Sequence, residues 1–309
     1  MMDYDMILTL LEKAYETDDE EETERLLRQI LEIDEYNPEA LILLSDLTDD
    51  PEERLFCLER AWEMLEEEMQ DSTIPDDVDF LEDNFGILYV TGLLRLAFAY
   101  FSEGRNDEAL ELAQILVEYD PNRTTPSATL FYRLLLENKE YGRIIEESLK
   151  EPEPFPAMLH SLAIATFKLS GPGDRAYKAL WSAISSDPAA SFYMLGYLEE
   201  PDDDADPEMI ESFNLAMLFE DAWLSQTDTS LSNWLASAII LLGLAASVFP
   251  LDTVENMMIL ADALDIADSV EDVIIKLEAR SDWGVLTGEE RLVAALELIS
   301  SGRYLPDRS

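Results

Sequence analysis

A repeat of 33 to 34 residues is the feature of this sequence that most restricts its fold. Three prolines recur at this spacing, and a small residue stands twelve positions before each proline: Pro121, Pro154 and Pro188, with Ala109, Gly142 and Ala176. Two antiparallel helices of about 12 residues, joined by short turns, occupy about 34 residues and cannot bury their apolar faces alone. A small residue lets the paired helices approach closely, and a proline stops the second helix. The repeat therefore predicts helical hairpins that stack in chain order.

The rest of the chain also has the pattern of an all-α protein. Leu, Ala, Glu, Ile and Met dominate, and only 11 of the 309 residues are glycine. Apolar residues recur at spacings of three and four, for example over residues 6–14 and 26–33, and this spacing is typical of amphipathic helices. Long runs of alternating polar and apolar residues are missing. The predicted fold class is all-α, a right-handed α–α superhelix of helical hairpins with a helical C-terminal region.

Residues 90–123 resemble the tetratricopeptide repeat (TPR) family. Residues 157–190 resemble it nearly as well, whereas residues 124–156 keep the pattern mainly in their second half. In the first of these repeats the matching positions are Leu93, Leu96, Ala97, Tyr100, Gly104, Ala109 and Pro121. Ala113 departs from the family, which usually has an aromatic residue four positions after the small one. The resemblance implies TPR-like hairpins, with Ala97, Tyr100, Ala109, Pro121, Gly142, Pro154, Ala176 and Pro188 as repeat-structural residues.

Two breaks in composition predict the domain organisation. An acidic loop at residues 199–207 ends the periodic region, and a polar loop at residues 226–232 precedes a long apolar segment. We therefore expect a TPR-like array over residues 1–225 and a C-terminal helical region over 226–309, which caps the array or forms a small helical domain. The order of Asp187-Pro188, Tyr193 to Gly196 and Ala222-Trp223 is also similar to that in bacterial TPR proteins related to the suppressor-of-tumorigenicity-seven group.

The charge of the chain restricts its partners. Asp and Glu number 68 and Lys and Arg number 20, which gives a formal net charge of −48. Within residues 1–83 we count 30 acids against five bases. A surface of this kind lacks the cations that neutralise phosphate, so nucleic acid and anionic membranes are disfavoured as partners. The acidity suits a protein partner with a basic segment, and a salty habitat is the other interpretation.

Residues that support common enzyme chemistry are few. The chain has one histidine, His160, and one cysteine, Cys57, and each stands among apolar neighbours. We expect His160 to be a packed or partly exposed structural residue and Cys57 to be a small core residue. The acidic loop does not fit a calcium loop of the EF-hand type, because Pro207 stands where glycine is required. We therefore predict no catalytic residue, no cofactor and no metal site. Since 68 acids create many chance pairs, an enzyme subunit that acts through carboxylates stays an alternative.

Residues 229–251 carry no charged side chain and are long enough to cross a bilayer. Neither flank has Lys or Arg within a dozen residues, so the signal that orients a membrane helix is missing. We expect a buried core helix here, with a membrane-attached assembly factor anchored by residues 231–249 as the alternative. The first residues lack a basic signal-peptide start, and a single cysteine fits a reducing compartment, so we predict a cytoplasmic protein.

The predicted function follows from the TPR resemblance. In that family the first helix of each hairpin lines a concave face that contacts segments of partner proteins. Carried onto this sequence, the partner-binding positions are Leu94, Phe98, Phe101, Met158 and Lys168. We expect a non-catalytic protein–protein interaction scaffold that binds a partner segment on the concave face of the superhelix. The alternative for Phe98 and Phe101 is burial beneath the apolar C-terminal helices.

Overall fold

The computed structural model describes residues 2–71, 80–202, 204–224 and 229–306. These residues form sixteen α-helices and two 3-10 helices, and no strand occurs among them. The predicted all-α class is confirmed. Contacts between Cα atoms divide the chain into two units, Met1–Leu134 and Leu135–Ser309. The predicted division at residues 225 and 226 concerns the end of the repeats and stays a prediction. Asp203 of the acidic loop and residues 225–228 lie outside the described residues.

The first unit contains six complete helices and most of a seventh. They are α1 (Met2–Glu16), α2 (Glu20–Ile33), α3 (Pro38–Leu47), α4 (Pro51–Asp71), α5 (Asn84–Ser102), α6 (Asn106–Tyr119) and α7 (Ser127–Glu137), which runs past the boundary. Side chains with short polar groups begin several of these helices. The Asn37 side chain accepts a hydrogen bond from the Ala40 N–H at 3.0 Å, and Asp83 accepts one from the Phe85 N–H at 2.9 Å. Both therefore satisfy backbone donors that a helix leaves unpaired in its first turn.

Neighbouring helices of the first unit pack as hairpins. α1 pairs with α2, α3 with α4 and α5 with α6, while α2–α3 and α4–α5 contacts join one hairpin to the next. The first helices α3 and α5 also touch each other. Gly92 permits this approach, because a Cβ at position 92 would lie 2.8 Å from Cδ1 of Ile42 and 3.2 Å from Cδ1 of Leu65. The result is a stack of hairpins in chain order.

The loop between α6 and α7 is held by a buried carboxylate. Asp120 is buried and accepts hydrogen bonds from the backbone N–H and the hydroxyl groups of Thr124 and Thr125, and from the Ser127 hydroxyl. Burial alone would raise the pKa of Asp120, but these hydrogen bonds favour its charged form and the net effect is a lowered pKa. The loop therefore depends on an ionised Asp120.

Each of the three predicted repeats contains two helices. Residues 90–123 cover most of α5 and all of α6, and residues 124–156 contain α7 and α8 (Tyr141–Ser148). Residues 157–190 contain most of α9 (Pro156–Ser170) and all of α10 (Asp174–Ser186). The repeat-structural alanines Ala97, Ala109 and Ala176 are fully buried, whereas Pro121, Gly142 and Pro154 are exposed. A Cβ at Gly142 would have open space, so no close helix approach requires glycine there.

The second unit has two parts. Its first helices pack against their neighbours in the chain, and its last helices enclose one long helix. After α8, α9 and α10 come α11 (Pro188–Met194), α12 (Pro207–Trp223), α13 (Thr229–Ala246), α14 (Val254–Ala263), α15 (Ala267–Glu278) and α16 (Gly288–Ser301). Pro188 is the first residue of α11, and Asp187 caps that helix. α8 to α12 pack in order, and α12 also contacts α9. α14, α15 and α16 all pack against α13.

Two contacts fix the C-terminal helices of this unit. The Phe249 ring crosses α13 at Gly243, where a Cβ would lie 2.3 Å from a ring carbon. The Tyr177 hydroxyl on α10 donates a 3.0 Å hydrogen bond to the Ile299 carbonyl near the end of α16. α13 is therefore a core helix of the unit, in agreement with the burial that its apolar sequence favours.

Candidate partner-binding face

Helix α5 carries a stripe of apolar side chains that its neighbours leave partly accessible. Leu94, Phe98 and Phe101, the predicted partner-binding residues of the first unit, are half-buried. Ile87 is exposed and precedes Leu94 by two helical turns. Spacings of seven, four and three residues place these four side chains on one side of the helix. The neighbouring positions Leu93, Leu96 and Ala97 are fully buried, so α5 has distinct core and outward sides.

Aromatic packing fixes the start of α5. Phe80, in the 3-10 helix Phe80–Glu82, stacks on Tyr119 of α6 with ring centroids 4.5 Å apart. The same Phe80 ring packs edge-on against Tyr89 of α5 at 5.7 Å. Gly86 is required beneath it, because a Cβ there would overlap the Phe80 carbonyl oxygen at 1.8 Å. These contacts set the direction of α5, and with it the direction of the apolar stripe.

Polar contacts tie the first helices of successive hairpins to one another. The Tyr15 hydroxyl on α1 donates a 2.7 Å hydrogen bond to Glu39 on α3. Arg95 on α5 donates two hydrogen bonds, at 2.8 and 2.6 Å, to the two carboxylate oxygens of Asp46 on α3. Such a bidentate pair fixes orientation, although a partly exposed ion pair contributes only about 0–1 kcal/mol to stability. Because Arg95 follows Leu94 directly, this ion pair flanks the stripe on the side of α3.

A buried arginine lies beside the last aromatic residue of the stripe. The guanidinium of Arg133, on α7, lies 5.0 Å from the centre of the Phe101 ring, and Arg133 is only 4% exposed. A cation over an aromatic face stabilises that ring position by about 0.5–2 kcal/mol. We use the name first-helix face for Ile87, Leu94, Phe98 and Phe101 with their polar neighbours Tyr15, Glu39, Asp46, Arg95 and Arg133. Its four apolar side chains are half-buried or exposed, so a partner can contact them.

The other two predicted partner-binding residues belong to α9 in the second unit. Met158 is 4% exposed, so in this conformation its side chain packs in the core and offers no surface to a partner. Lys168 is half-buried in the last turn of α9, where a positive charge complements the negative end of the helix dipole. A single groove that combines these residues with those of α5 stays a prediction.

The repeat-structural Tyr100 has a polar role beyond packing. Its hydroxyl donates a 3.0 Å hydrogen bond to Glu59 on α4, and the Arg105 guanidinium lies 3.9 Å from the centre of its ring. Arg105 also binds Glu59 at 2.9 Å. Burial, together with the bond to Glu59, raises the pKa of Tyr100 to about 12. Tyr100 therefore joins the second hairpin to the third.

His160 and Cys57 are buried, as the sequence predicts. The Trp223 indole N–H donates a 3.1 Å hydrogen bond to Nδ1 of His160, so the ring proton must be on Nε2. Burial lowers the pKa of His160 to about 4, which keeps the imidazole neutral near pH 7. Burial also raises the pKa of the Cys57 thiol, which disfavours the reactive thiolate. In the parts of the chain that the structure describes, no three His, Cys, Asp or Glu side chains are placed to hold a metal ion.

Among the residues that the structure describes, two helices are long and apolar enough to cross a membrane, judged by length and composition. They are Asn84–Ser102 and Thr229–Ala246. In the most apolar 18-residue window, 44% of the first helix and 72% of the second are buried. A core helix of a water-soluble protein meets the same criterion, so these lengths alone do not favour a membrane.

Comparison with known proteins identifies no family for this chain. No family model matches this chain, and no curated protein matches it. The TPR resemblance therefore stays a prediction that rests on the residues quoted for it.

Sequence reasoning missed the polar partners of the first-helix face. Glu39 and Tyr15 are 24 positions apart, and Asp46 and Arg95 are 49 apart. Nothing distinguishes these two carboxylates from the others among 68 acids. Ile87 could have been found, because it continues the spacing of Leu94, Phe98 and Phe101 toward the start of the same helix.

Proposed function

We propose that this protein is a non-catalytic interaction scaffold that binds a segment of a partner protein on the first-helix face. The observation that carries the proposal is the apolar stripe on α5, whose four side chains remain accessible in a well-packed unit. A partner that covers such a stripe gains about 25 cal/mol for each Å² of apolar surface removed from water. Rigid aromatic rings at the centre of a surface are typical of residues that dominate binding energy.

The charge of the chain supports a partner with basic residues around its apolar anchors. Residues 1–83 carry 30 acids and five bases, and the two carboxylates of the face, Glu39 and Asp46, accept hydrogen bonds from Tyr15 and Arg95. The remaining acids create a negative field that attracts a basic segment before contact and raises its association rate. The mechanism is docking onto helices that are already formed, so little ordering of this protein opposes binding.

An experiment with three variants tests this proposal. Phe98→Asp and Phe101→Asp each place a charge in the stripe, whereas Phe56→Asp makes the same change at an exposed phenylalanine on α4. Each tagged variant is expressed in the native organism, and captured proteins are quantified by mass spectrometry. We expect a specific partner to be lost about tenfold or more with the two stripe variants and retained with Phe56→Asp. Equal capture by folded Phe98→Asp and Phe101→Asp variants would contradict the proposal.

The salt dependence of binding tests the steering separately. Once a partner is identified, its association rate should fall as ionic strength rises, while its dissociation rate changes much less. Stopped-flow or surface-based kinetics measure both rates. An association rate that is independent of salt would remove the role of the acidic surface and leave the apolar stripe as the whole binding site.

Other functions receive less support from the described residues. Chemistry that depends on histidine or cysteine is disfavoured, because His160 is buried and neutral and Cys57 is buried. Burial of α13 among α14, α15 and α16 supports a core role for residues 231–249 over a membrane anchor.

A further inference from the structure

A second accessible apolar surface lies in the second unit, between α14 and α15. It is a shallow groove of about 270 Å³. Its apolar lining comes from both helices, and two exposed carboxylates complete it: Met258, Val270, Ile274 and Ile275, with Asp268 and Glu271. Small-molecule sites usually enclose about 300–1,000 Å³. The groove is smaller than this and suits a single apolar side chain.

Helix α14 turns an unusual set of residues toward water. Its residues Met257 and Ala261 are buried, whereas the three between them, Met258, Ile259 and Leu260, are exposed. Ile259 is 62% exposed, and Ile275 on the neighbouring α15 is 58% exposed. Single exposed apolar residues are common, but Met258 and Ile275 line one groove together, and adjoining exposed apolar side chains mark a surface that a partner covers.

The charge around the groove identifies the kind of partner. Residues 251–279, which contain both helices, carry eight acids and one base, Lys276. That lysine binds Asp272 at 2.6 Å, so its charge is already compensated. Two copies of this surface would bring Asp268 and Glu271 against the same carboxylates of the second copy, which opposes pairing of the groove with itself. A segment with basic residues beside its apolar ones would complement both the lining and the field.

We infer that the α14–α15 groove binds a basic amphipathic helix of a partner protein, with one apolar side chain inserted between Met258 and Ile275. A third helix packed over two neighbouring helices is a common way to bury an apolar stripe, and helix-in-groove binding uses the same geometry. This inference does not rest on the proposed function, because the groove lies in the other unit and shares no residue with the first-helix face.

Two designed peptides and the full-length protein test the inference. The first peptide places Leu at helical spacing with Lys at the remaining positions, and the second has the same composition in scrambled order. At roughly 150 mM salt, where long-range attraction is screened beyond about 8 Å, we expect the patterned peptide to bind about tenfold more tightly. Ile275→Ser and Met258→Ser should each remove most of that advantage, whereas Val285→Ser, at an 83% exposed position outside the groove, should leave it unchanged. Fluorescence anisotropy measures all these affinities.

A matched pair of charge variants separates local from general attraction. Asp268→Asn with Glu271→Gln removes two carboxylates at the groove, and Glu289→Gln with Glu297→Gln removes two exposed ones on α16. Both double variants have the same net charge, and we expect the groove variant to weaken the patterned peptide several-fold more. We expect all variants to fold, because substitutions at exposed positions usually change stability little. Circular dichroism verifies this.

Three results would overturn the inference. One is equal binding of patterned and scrambled peptides, which would reduce the attraction to net charge. Another is a folded Ile275→Ser and a folded Met258→Ser that bind the patterned peptide as the unaltered chain does. The third is self-association that analytical ultracentrifugation detects in the unaltered chain and that Ile275→Ser abolishes, because a second copy would then occupy the groove.

Discussion

The two units bury their apolar residues in different ways. In the first unit the packing runs from helix to neighbouring helix along three hairpins, and the long apolar helix α5 keeps one side accessible. In the second unit α13 has a similar length and hydropathy but is enclosed by α14, α15 and α16. An apolar helix in a stack is covered on the sides that face its neighbours in the chain, whereas one in a bundle is covered all round.

This difference gives the two apolar helices different roles. The stack leaves α5 with an outward stripe that a partner can cover, so we place the proposed binding face there. The bundle uses α13 as its core and moves accessible apolar surface to its outer helices, where Ile259 and Ile275 lie. Hydropathy alone does not distinguish these outcomes. The share of the apolar helix that its neighbours bury, 44% of the most apolar window in α5 and 72% in α13, decides between them.

The largest expected effect concerns the cooperativity of each unit. Leu242→Ala in α13 and Leu27→Ala in α2 both truncate fully buried leucines and should each cost about 2–5 kcal/mol of stability. Because α13 touches the three helices that follow it, Leu242→Ala should speed amide exchange in α13 to α16 together. Leu27→Ala should act mainly on α1 to α3, the hairpin that contains it and the next helix. Hydrogen exchange followed by mass spectrometry measures the spread, and an equally wide spread for both would contradict the distinction.

A smaller effect should appear when acid is added. The pKa of His160 is about 4 in the folded chain and about 6.5 in a model peptide, so the unfolded chain binds the proton more readily. Its contribution to stability is complete above pH 7 and falls by about 2 kcal/mol between pH 7 and pH 5. Protonation also places a hydrogen on Nδ1, where Trp223 now donates.

His160→Gln is the control for this titration, since it removes the only histidine while the carboxylates continue to respond. Denaturant unfolding at pH 7 and pH 5 should show the extra loss in the unaltered chain and not in the variant. The lowered pKa of Asp120 acts in the first unit at lower pH, where that carboxylate would be protonated, so acid should loosen the second unit first. Simultaneous loosening of both units at pH 5 would refute this order.

The smallest expected effect compares two glycines in helices. Gly243→Ala would push a Cβ into the Phe249 ring, whereas Gly92→Ala would meet only the flexible ends of Ile42 and Leu65. Overpacking costs about 1–3 kcal/mol of stability, whereas replacing glycine by alanine within a helix stabilises the helix by about 1 kcal/mol. We expect Gly243→Ala to destabilise the chain by up to about 2 kcal/mol and Gly92→Ala to be nearly neutral. Thermal unfolding of both variants tests this, and a larger loss for Gly92→Ala would show that the α3–α5 approach is the stiffer one.

Local patterns allowed much of the fold to be predicted. The spacing of Ala109 and Ala176 and of their prolines locates helix pairs, because close packing and helix termination act within a few residues. The same spacing also suggested that Gly142 permits a close helix approach, but a Cβ at this position would have open space, so glycine is not required there. The uncharged stretch in α13 predicted burial correctly, since apolar length is also a local property.

Contacts between residues distant in the chain could not be predicted. Nothing near Tyr177 indicates that its hydroxyl binds the carbonyl of Ile299, 122 residues later. For the candidate face, the apolar stripe follows from helical spacing, whereas the arginines beside it depend on which helices meet. The burial of Met158 depends in the same way on neighbours that the repeat pattern does not specify.

The enclosure of α13 has a consequence for biosynthesis. α13 ends at Ala246, but the last helix that covers it ends at Ser301, and a ribosome adds about 5–20 residues each second. The apolar helix therefore leaves the ribosome roughly 3–11 s before its cover is synthesised. During that interval a chaperone can bind its leucines and isoleucines, or the helix can aggregate with another nascent chain. Slow codons between positions 247 and 301 would lengthen this exposure, and the yield of soluble protein would fall with it.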